Sequence, residues 1–242
     1  MKNLNVKIMH VLIAIGLLNI AGLVYGQLSF ENRVKNIIVE NADMVIDAIG
    51  FKQSAEKSEK SGEVAMSFKG YADNIEFPVS GANEFSSSVV IYEWIDYQCG
   101  YCKASYKILK KLSDDNKNIT IKYVDYPILG KNSTLAGYVA ISAHKQGKYI
   151  QYHERMMSFK GRFNKDIIFE QAKLAGLDMA QVKKDIKSDV VKKTIARNIE
   201  IGQFVGATGT PFMIAYSGDK YEVINGFVKL DVWKKIIAKI TK

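Results

Sequence analysis

The hydrophobic pattern changes period several times along the chain, and each change marks a different kind of element. Residues 11–24 are uncharged and almost wholly apolar, preceded by Lys2 and Lys7 and followed by Tyr25-Gly26-Gln27. From Phe30 the apolar positions fall at three- and four-residue spacing, through Val34, Ile37, Ile38, Ala42, Val45, Ile46 and Ile49. That spacing predicts an amphipathic helix of roughly five turns. Residues 53–62 are small and polar and predict a hydrophilic connector. The body then opens near Asn74 with a short strand candidate at residues 75–78, followed by an apolar β-branched strand over residues 89–95. Helical spacing at Tyr106, Ile108, Leu109 and Leu112 predicts a helix from Cys99 to Leu112, and residues 119–124 alternate as a second strand. A strand, a helix and a strand in that order imply a parallel pair joined by a crossover.

From about residue 131 to 206 the pattern is helical throughout, broken at Gly161 and at residues 176–178. Strand signals return at residues 212–216 and 221–224 around the turn Ser217-Gly218-Asp219, and a helix over residues 231–240 closes the chain. A sheet interrupted by an inserted block of about 70 helical residues is therefore expected.

Composition refines this picture at the N-terminus. A basic start, a short apolar core and small or apolar residues at Val24 and Gly26 form a secretory signal pattern, with cleavage expected near Gly26 and retention as a membrane anchor as the alternative. The apolar core falls short of the span of about 20 residues that a transmembrane helix needs. No cysteine follows it, which argues against a lipidated N-terminus. The expected organisation is thus residues 1–26 as signal, 27–73 as N-terminal helix and linker, and 74–242 as the main domain. The apolar stripe within residues 28–51 must be covered, and self-association into a homo-oligomer is favoured over folding back onto the domain.

The formal net charge is +9, or +7 without Lys2 and Lys7. The lysines are scattered on polar helix faces, and no aromatic-basic interleaving or nucleic-acid motif accompanies them, so no nucleic-acid partner is expected. A chain of about 216 residues after cleavage can bury a core without covalent staples.

The whole cysteine content is one pair, Cys99 and Cys102, in Trp94-Ile-Asp-Tyr-Gln-Cys99-Gly-Tyr-Cys102-Lys103. A C-x-x-C at a helix start after a strand is a redox geometry. An inert structural disulfide would close too small a loop to stabilise much. Cys99, near the helix N-cap, would have its thiolate stabilised by unpaired backbone N–H groups and the positive dipole end, making it the nucleophile. Cys102, one turn deeper, would be the resolving and more buried sulfur. No further ligands accompany the pair for zinc, Lys103 stands where a haem-attachment motif needs histidine, and no dinucleotide or phosphate fingerprint occurs. No cofactor is expected. His144 and His153 lie on helical patterns and are expected to be satisfied or at the surface. A non-catalytic alternative is a copper(I)- or client-binding envelope protein in which Met156, Met157 and Met213 add thioether ligands, although core packing accounts better for those methionines.

Two motifs, the Trp94–Lys103 segment and Gly206-Ala-Thr-Gly-Thr-Pro-Phe-Met213, make residues 75–242 resemble the DsbA-like branch of the thioredoxin fold. The extra N-terminal helix resembles its oligomeric ScsC-like and Com-like members. The resemblance implies an α/β thioredoxin fold with an inserted all-helical domain, acting on cysteine-containing proteins in the periplasm with a membrane redox partner. It implies that Pro211 is the cis-proline facing the cysteines, with the Thr210 backbone pairing a substrate strand and Gly100 and Tyr101 in the substrate site. It also implies that Glu93 shuttles protons beneath the cysteines, where burial would raise its pKa; Asp96 is a second candidate for that task. DsbA itself, a strong oxidant with a thiolate pKa of about 3.5, carries a histidine between its cysteines. Gly100-Tyr101 lacks it and resembles the dipeptide of the isomerase DsbC. The expectation therefore tilts toward isomerase or reductase activity, with a DsbA-type oxidase as the alternative.

Overall fold

In the computed structural model, residues 31–32, 61–82 and 87–242 are described, and the account is confined to them. The predicted signal, most of the amphipathic stripe and the connector up to residue 60 lie outside the described residues. Five strands form one mixed sheet in the order β1-β3-β2-β4-β5. They are β1 (Val79–Gly81), β2 (Val89–Ile95), β3 (Ile119–Asp125), β4 (Phe212–Ser217) and β5 (Lys220–Asn225). β2 and β3 run parallel from Val89↔Ile119 to Ile95↔Asp125, joined through the helix α2 (Gly100–Asp115), as the strand-helix-strand pattern predicts. β4 pairs antiparallel with β2, setting Met213 opposite Glu93, and β5 completes the hairpin.

The inserted block comprises α3 (Lys131–Lys145), α4 (Tyr149–Ser158), α5 (Lys165–Leu174), α6 (Met179–Asp185) and α7 (Asp189–Phe204), and α8 (Leu230–Ile240) closes the chain. Side-chain oxygens of Asn164, Asp178 and Ser188 cap the starts of α5, α6 and α7, so these three helices carry their own start signals.

Because side chains alternate across a strand, β2 serves two cores. Val89, Ile91 and Ile95 join one with Leu109, Tyr123, Tyr152, Met156, Met213 and Trp233. Tyr92 and Trp94 join the other with Phe68, Phe77, Val124, Phe212, Ile214 and Tyr216. Residues 61–72 are helical (α1) and cover this second face. Ala65, Phe68 and Ala72, at i, i+3 and i+7, are buried to 1% exposure or less, and Phe68 meets Tyr92 edge-on at 4.9 Å and Trp94 at 5.0 Å. The Tyr216 hydroxyl donates to the Ala65 carbonyl at 2.6 Å. The boundary expected near residue 74 therefore moves back to include α1. Without that helix Tyr92 and Trp94 would lose the ring contacts of Phe68.

Candidate active site

β2 ends at Ile95 and the chain turns through Asp96, Tyr97 and Gln98 into α2, whose N-cap is Cys99. Extended backbone at Cys99 (φ −74°, ψ 117°) aims its sulfur back over the first turn, where the Cys102 N–H donates to Sγ at 3.3 Å. The Cys99 thiol in turn donates to the Thr210 carbonyl at 3.2 Å. Thr210-Pro211 is a cis peptide bond in the loop before β4, so the two motifs, more than a hundred residues apart in sequence, meet at this sulfur. Tyr101 is 69% exposed beside it, while Cys102 is fully buried.

The sulfurs are electrostatically unequal. Hydrogen bonding from the Cys102 side chain, helped by Thr210 and the backbone N–H groups of Cys102 and Tyr101, lowers Cys99 from 9.0 to about 6 against the cost of its burial. Cys102 is pushed far upward, first by burial and then by its bond to Cys99 and the neighbouring charges of Cys99 and Glu93. A thiolate at Cys99 and a thiol at Cys102 is the stable pairing near neutral pH.

Glu93 lies beneath them, 1% exposed. One carboxyl oxygen accepts from the Ser105 hydroxyl at 2.7 Å, and the other has no hydrogen-bond partner. Burial, opposed by Ser105 and reinforced by the Cys99 charge, raises it from 4.5 to about 8. The sequence reading did not single out Ser105. Its signal was a serine on the buried face of α2 one turn from Cys102, among Tyr106, Leu109, Leu112 and Ser113.

Asp96 is also buried, but its oxygens are committed. Oδ1 accepts from the Gln98 N–H at 2.8 Å, and Oδ2 accepts from the N–H groups of Ile128 and Leu129, each at 2.9 Å. Its role in the structure is to hold backbone. Lys103 leans onto the helical block, donating to the Phe159 carbonyl at 2.8 Å and lying 4.7 Å from the Phe163 ring centre.

His144 sits 3.6 Å from Glu76. His153 differs from the expectation of a satisfied histidine. It is buried among Tyr97, Tyr106, Tyr123 and Tyr149, with Nδ1 3.2 Å from the Tyr97 hydroxyl and Nε2 without a partner, and burial lowers it to about 3. Met156, Met157 and Met213 are packed in the core.

A sheet of this order with a C-x-x-C at the N-cap of its crossover helix and a cis-proline opposite defines a thioredoxin-fold dithiol protein. The chain belongs to the DSBA-like thioredoxin domain family, whose model matches residues 90–238. Over 136 residues it is 24% identical to a probable disulfide bond formation protein D of Bacillus cereus, covering 51% of this chain and 63% of that relative's length. The thiol-disulfide exchange protein α-DsbA2 of Wolbachia pipientis superposes with a TM-score of 0.66 at 30% identity, over 76% of this chain and 97% of that one. The catalytic domain of Proteus mirabilis ScsC superposes with a TM-score of 0.63 at 23% identity, over 73% and 97% respectively, a likeness of fold. Among the described residues no helix is long and apolar enough to cross a membrane.

Proposed function

We propose that the chain is an exported, periplasmic thiol:disulfide oxidoreductase that reshuffles or reduces disulfides in envelope proteins through Cys99 and Cys102. The observation that carries this reading is the Cys99 sulfur at the helix N-cap, 3.3 Å from the Cys102 N–H and 3.2 Å from the Thr210 carbonyl, above a fully buried Cys102. The Cys99 thiolate attacks a substrate disulfide, forming a mixed disulfide and releasing one substrate thiolate. If a second substrate thiolate then attacks the mixed disulfide, Cys99 leaves and the substrate has isomerised with no net redox change. If Cys102 attacks Cys99 instead, its proton passes to Glu93 in the ionised fraction of molecules, which grows as pH approaches about 8, the second substrate thiolate leaves, and the substrate has gained two electrons. A membrane redox partner would then reduce the Cys99–Cys102 disulfide.

The direction is supported by the moderate thiolate. Each step down in the pKa of Cys99 stabilises the reduced form and makes the disulfide more oxidising. A value of about 6 leaves this pair well short of a strong oxidant. Assembly through the stripe at residues 28–51 would bring several such sites together. The oxidase reading is favoured by one observation, the disulfide-forming name of the Bacillus cereus relative.

Reactivation of scrambled ribonuclease by catalytic amounts of the chain starting at Gln27, in glutathione buffer, separates the two. Reactivation that disappears in a Cys99→Ala variant is expected. Fast oxidation of reduced ribonuclease without reactivation would establish the oxidase instead, and undiminished activity in the Cys99→Ala variant would overturn both.

A further inference from the structure

A buried carboxyl group that takes up a proton and later releases it must be accommodated in both forms. The ionised form needs a donor, and the neutral form needs an acceptor for its O–H. A serine hydroxyl can be either, with one hydrogen to give and lone pairs to accept. Ser105 stands in that position beside Glu93. It is 2% exposed on α2, one turn beyond Cys102, and its hydroxyl donates to Glu93 Oε1 at 2.7 Å. The same Oγ lies 3.7 Å from Met213 Sδ, within reach of an O–H···S bond. Glu93 and Met213 are cross-strand partners on β2 and β4, so the serine faces both at once. One hydroxyl hydrogen cannot serve both acceptors.

We propose that Ser105 is a positioning residue for Glu93, in a hydrogen-bond chain of Glu93, Ser105 and Met213 that reverses with the protonation of the carboxyl group. While Glu93 is ionised, Ser105 donates to Oε1 and leaves Oε2, which has no other partner, to receive the Cys102 proton. Once Glu93 is neutral, the carboxyl turns its new O–H to Ser105 Oγ and the serine hydrogen swings to Met213 Sδ. No proton leaves the serine; its hydroxyl only rotates. The inference rests on the thiol-disulfide exchange reading and deepens it, because it says how one buried group is held in both states of the resolving step.

Among the described residues, the titratable groups coupled to Glu93 are Cys99 and Cys102 on α2 and Tyr123 on β3. Burial holds Tyr123 neutral, and Cys102 is a thiol until it attacks. In the mixed disulfide Cys99 carries no charge, so its influence on Glu93 is absent at the moment of resolution. β4 contributes the uncharged Met213. Ser105 and Met213 are therefore the partners whose removal shifts Glu93 without adding or removing a charge.

The test forms the mixed disulfide of Cys99 with glutathione and follows its resolution by rapid quench across pH, in the wild type, Ser105→Ala and Met213→Leu. Ser105→Ala removes the donor from the ionised carboxylate, so Glu93 keeps its proton to higher pH. Resolution is expected to slow about tenfold at pH 7, with the loss shrinking as pH rises. Met213→Leu removes a partner used only in the neutral state, so resolution at pH 7 is expected to speed up roughly threefold. Shifts of opposite sign are the signature, since lost packing alone would not produce them. Equal slowing at every pH, shifts of the same sign, or an unshifted profile in Met213→Leu would overturn the proposal. Leucine keeps the volume of methionine, so that variant remains informative if Ser105→Ala fails to fold. The infrared carboxyl band of the reduced protein, assigned by its absence from Glu93→Gln, reads the same two shifts without turnover. Opposite band shifts beside a mixed disulfide that the wild type never resolves would fault the exchange reading and support the hydrogen-bond chain.

Discussion

The two faces of β2 are built from the same seven residues and differ in what they leave unfinished. Toward α1, Tyr92 and Trp94 sit in a dense aromatic stack with Phe68, Phe77, Phe212 and Tyr216. Toward α2, Glu93 is buried with one oxygen unpartnered, and His153 on the same side also has a free ring nitrogen. Burying polar groups with incomplete partners costs stability. On the α2 face that cost falls on groups that titrate, whereas on the α1 face it falls on the Trp94 indole N–H, which does not, and the aromatic packing there offsets it. Stability and reactivity are thus separated by the thickness of one sheet.

If the separation is real, the largest effect on folding comes from the α1 face and leaves the thiols untouched. Phe68→Ala should cost about 3–5 kcal/mol in denaturant unfolding, while the ultraviolet titration of Cys99 stays in place. A shift of that titration with the loss of Phe68 would mean that the two faces are coupled.

The opposite substitution should have the opposite signature. Glu93 is raised in the folded state, so the stability it contributes is complete below its ordinary 4.5 and is lost as pH rises through about 8. Glu93→Gln removes that loss and should stabilise the protein at pH 8, on the order of 3 kcal/mol, with no gain below 4.5. A flat difference across that range would show that Glu93 is not protonated in the folded chain. The same variant should resolve mixed disulfides about a hundredfold more slowly, measured by rapid-quench decay of a Cys99-linked intermediate. Unchanged resolution would remove Glu93 from proton transfer and leave it a structural group.

The sequence carried more of the reactive face than of the packed one. β2 was predicted at residues 89–95 and found there, because a seven-residue run of six apolar or aromatic residues around Glu93, bounded by Ser88 and Asp96, admits little else. The cysteine pair announced itself through composition. Pro211 and Glu93, in contrast, were legible only through resemblance, since neither one proline nor one strand carboxylate has a distinctive period.

Helix α1 escaped notice for a physical reason. Two of the three residues in its stripe, Ala65 and Ala72, are small, which lets the helix sit close to the sheet but leaves Phe68 alone to give a strong hydrophobic signal. β1 was expected at residues 75–78 and lies at Val79–Gly81. Ile75 and Phe77 are apolar because they pack against the aromatic stack, and Phe77 is 4% exposed there, so packing was mistaken for pairing. The bonds of Asp96 join residues 32 and 33 positions apart, a separation no local pattern reveals.

The central claim is that Cys99 alone is the thiolate at neutral pH, with Cys102 held as a thiol above Glu93. Ultraviolet absorbance of the reduced protein against pH, in the wild type and in Cys99→Ala, tests it directly. A single thiolate step with a midpoint near 6, absent from Cys99→Ala, is the predicted result. A midpoint at the free-thiol value of about 8.5, or a low step that survives in Cys99→Ala, would contradict the account.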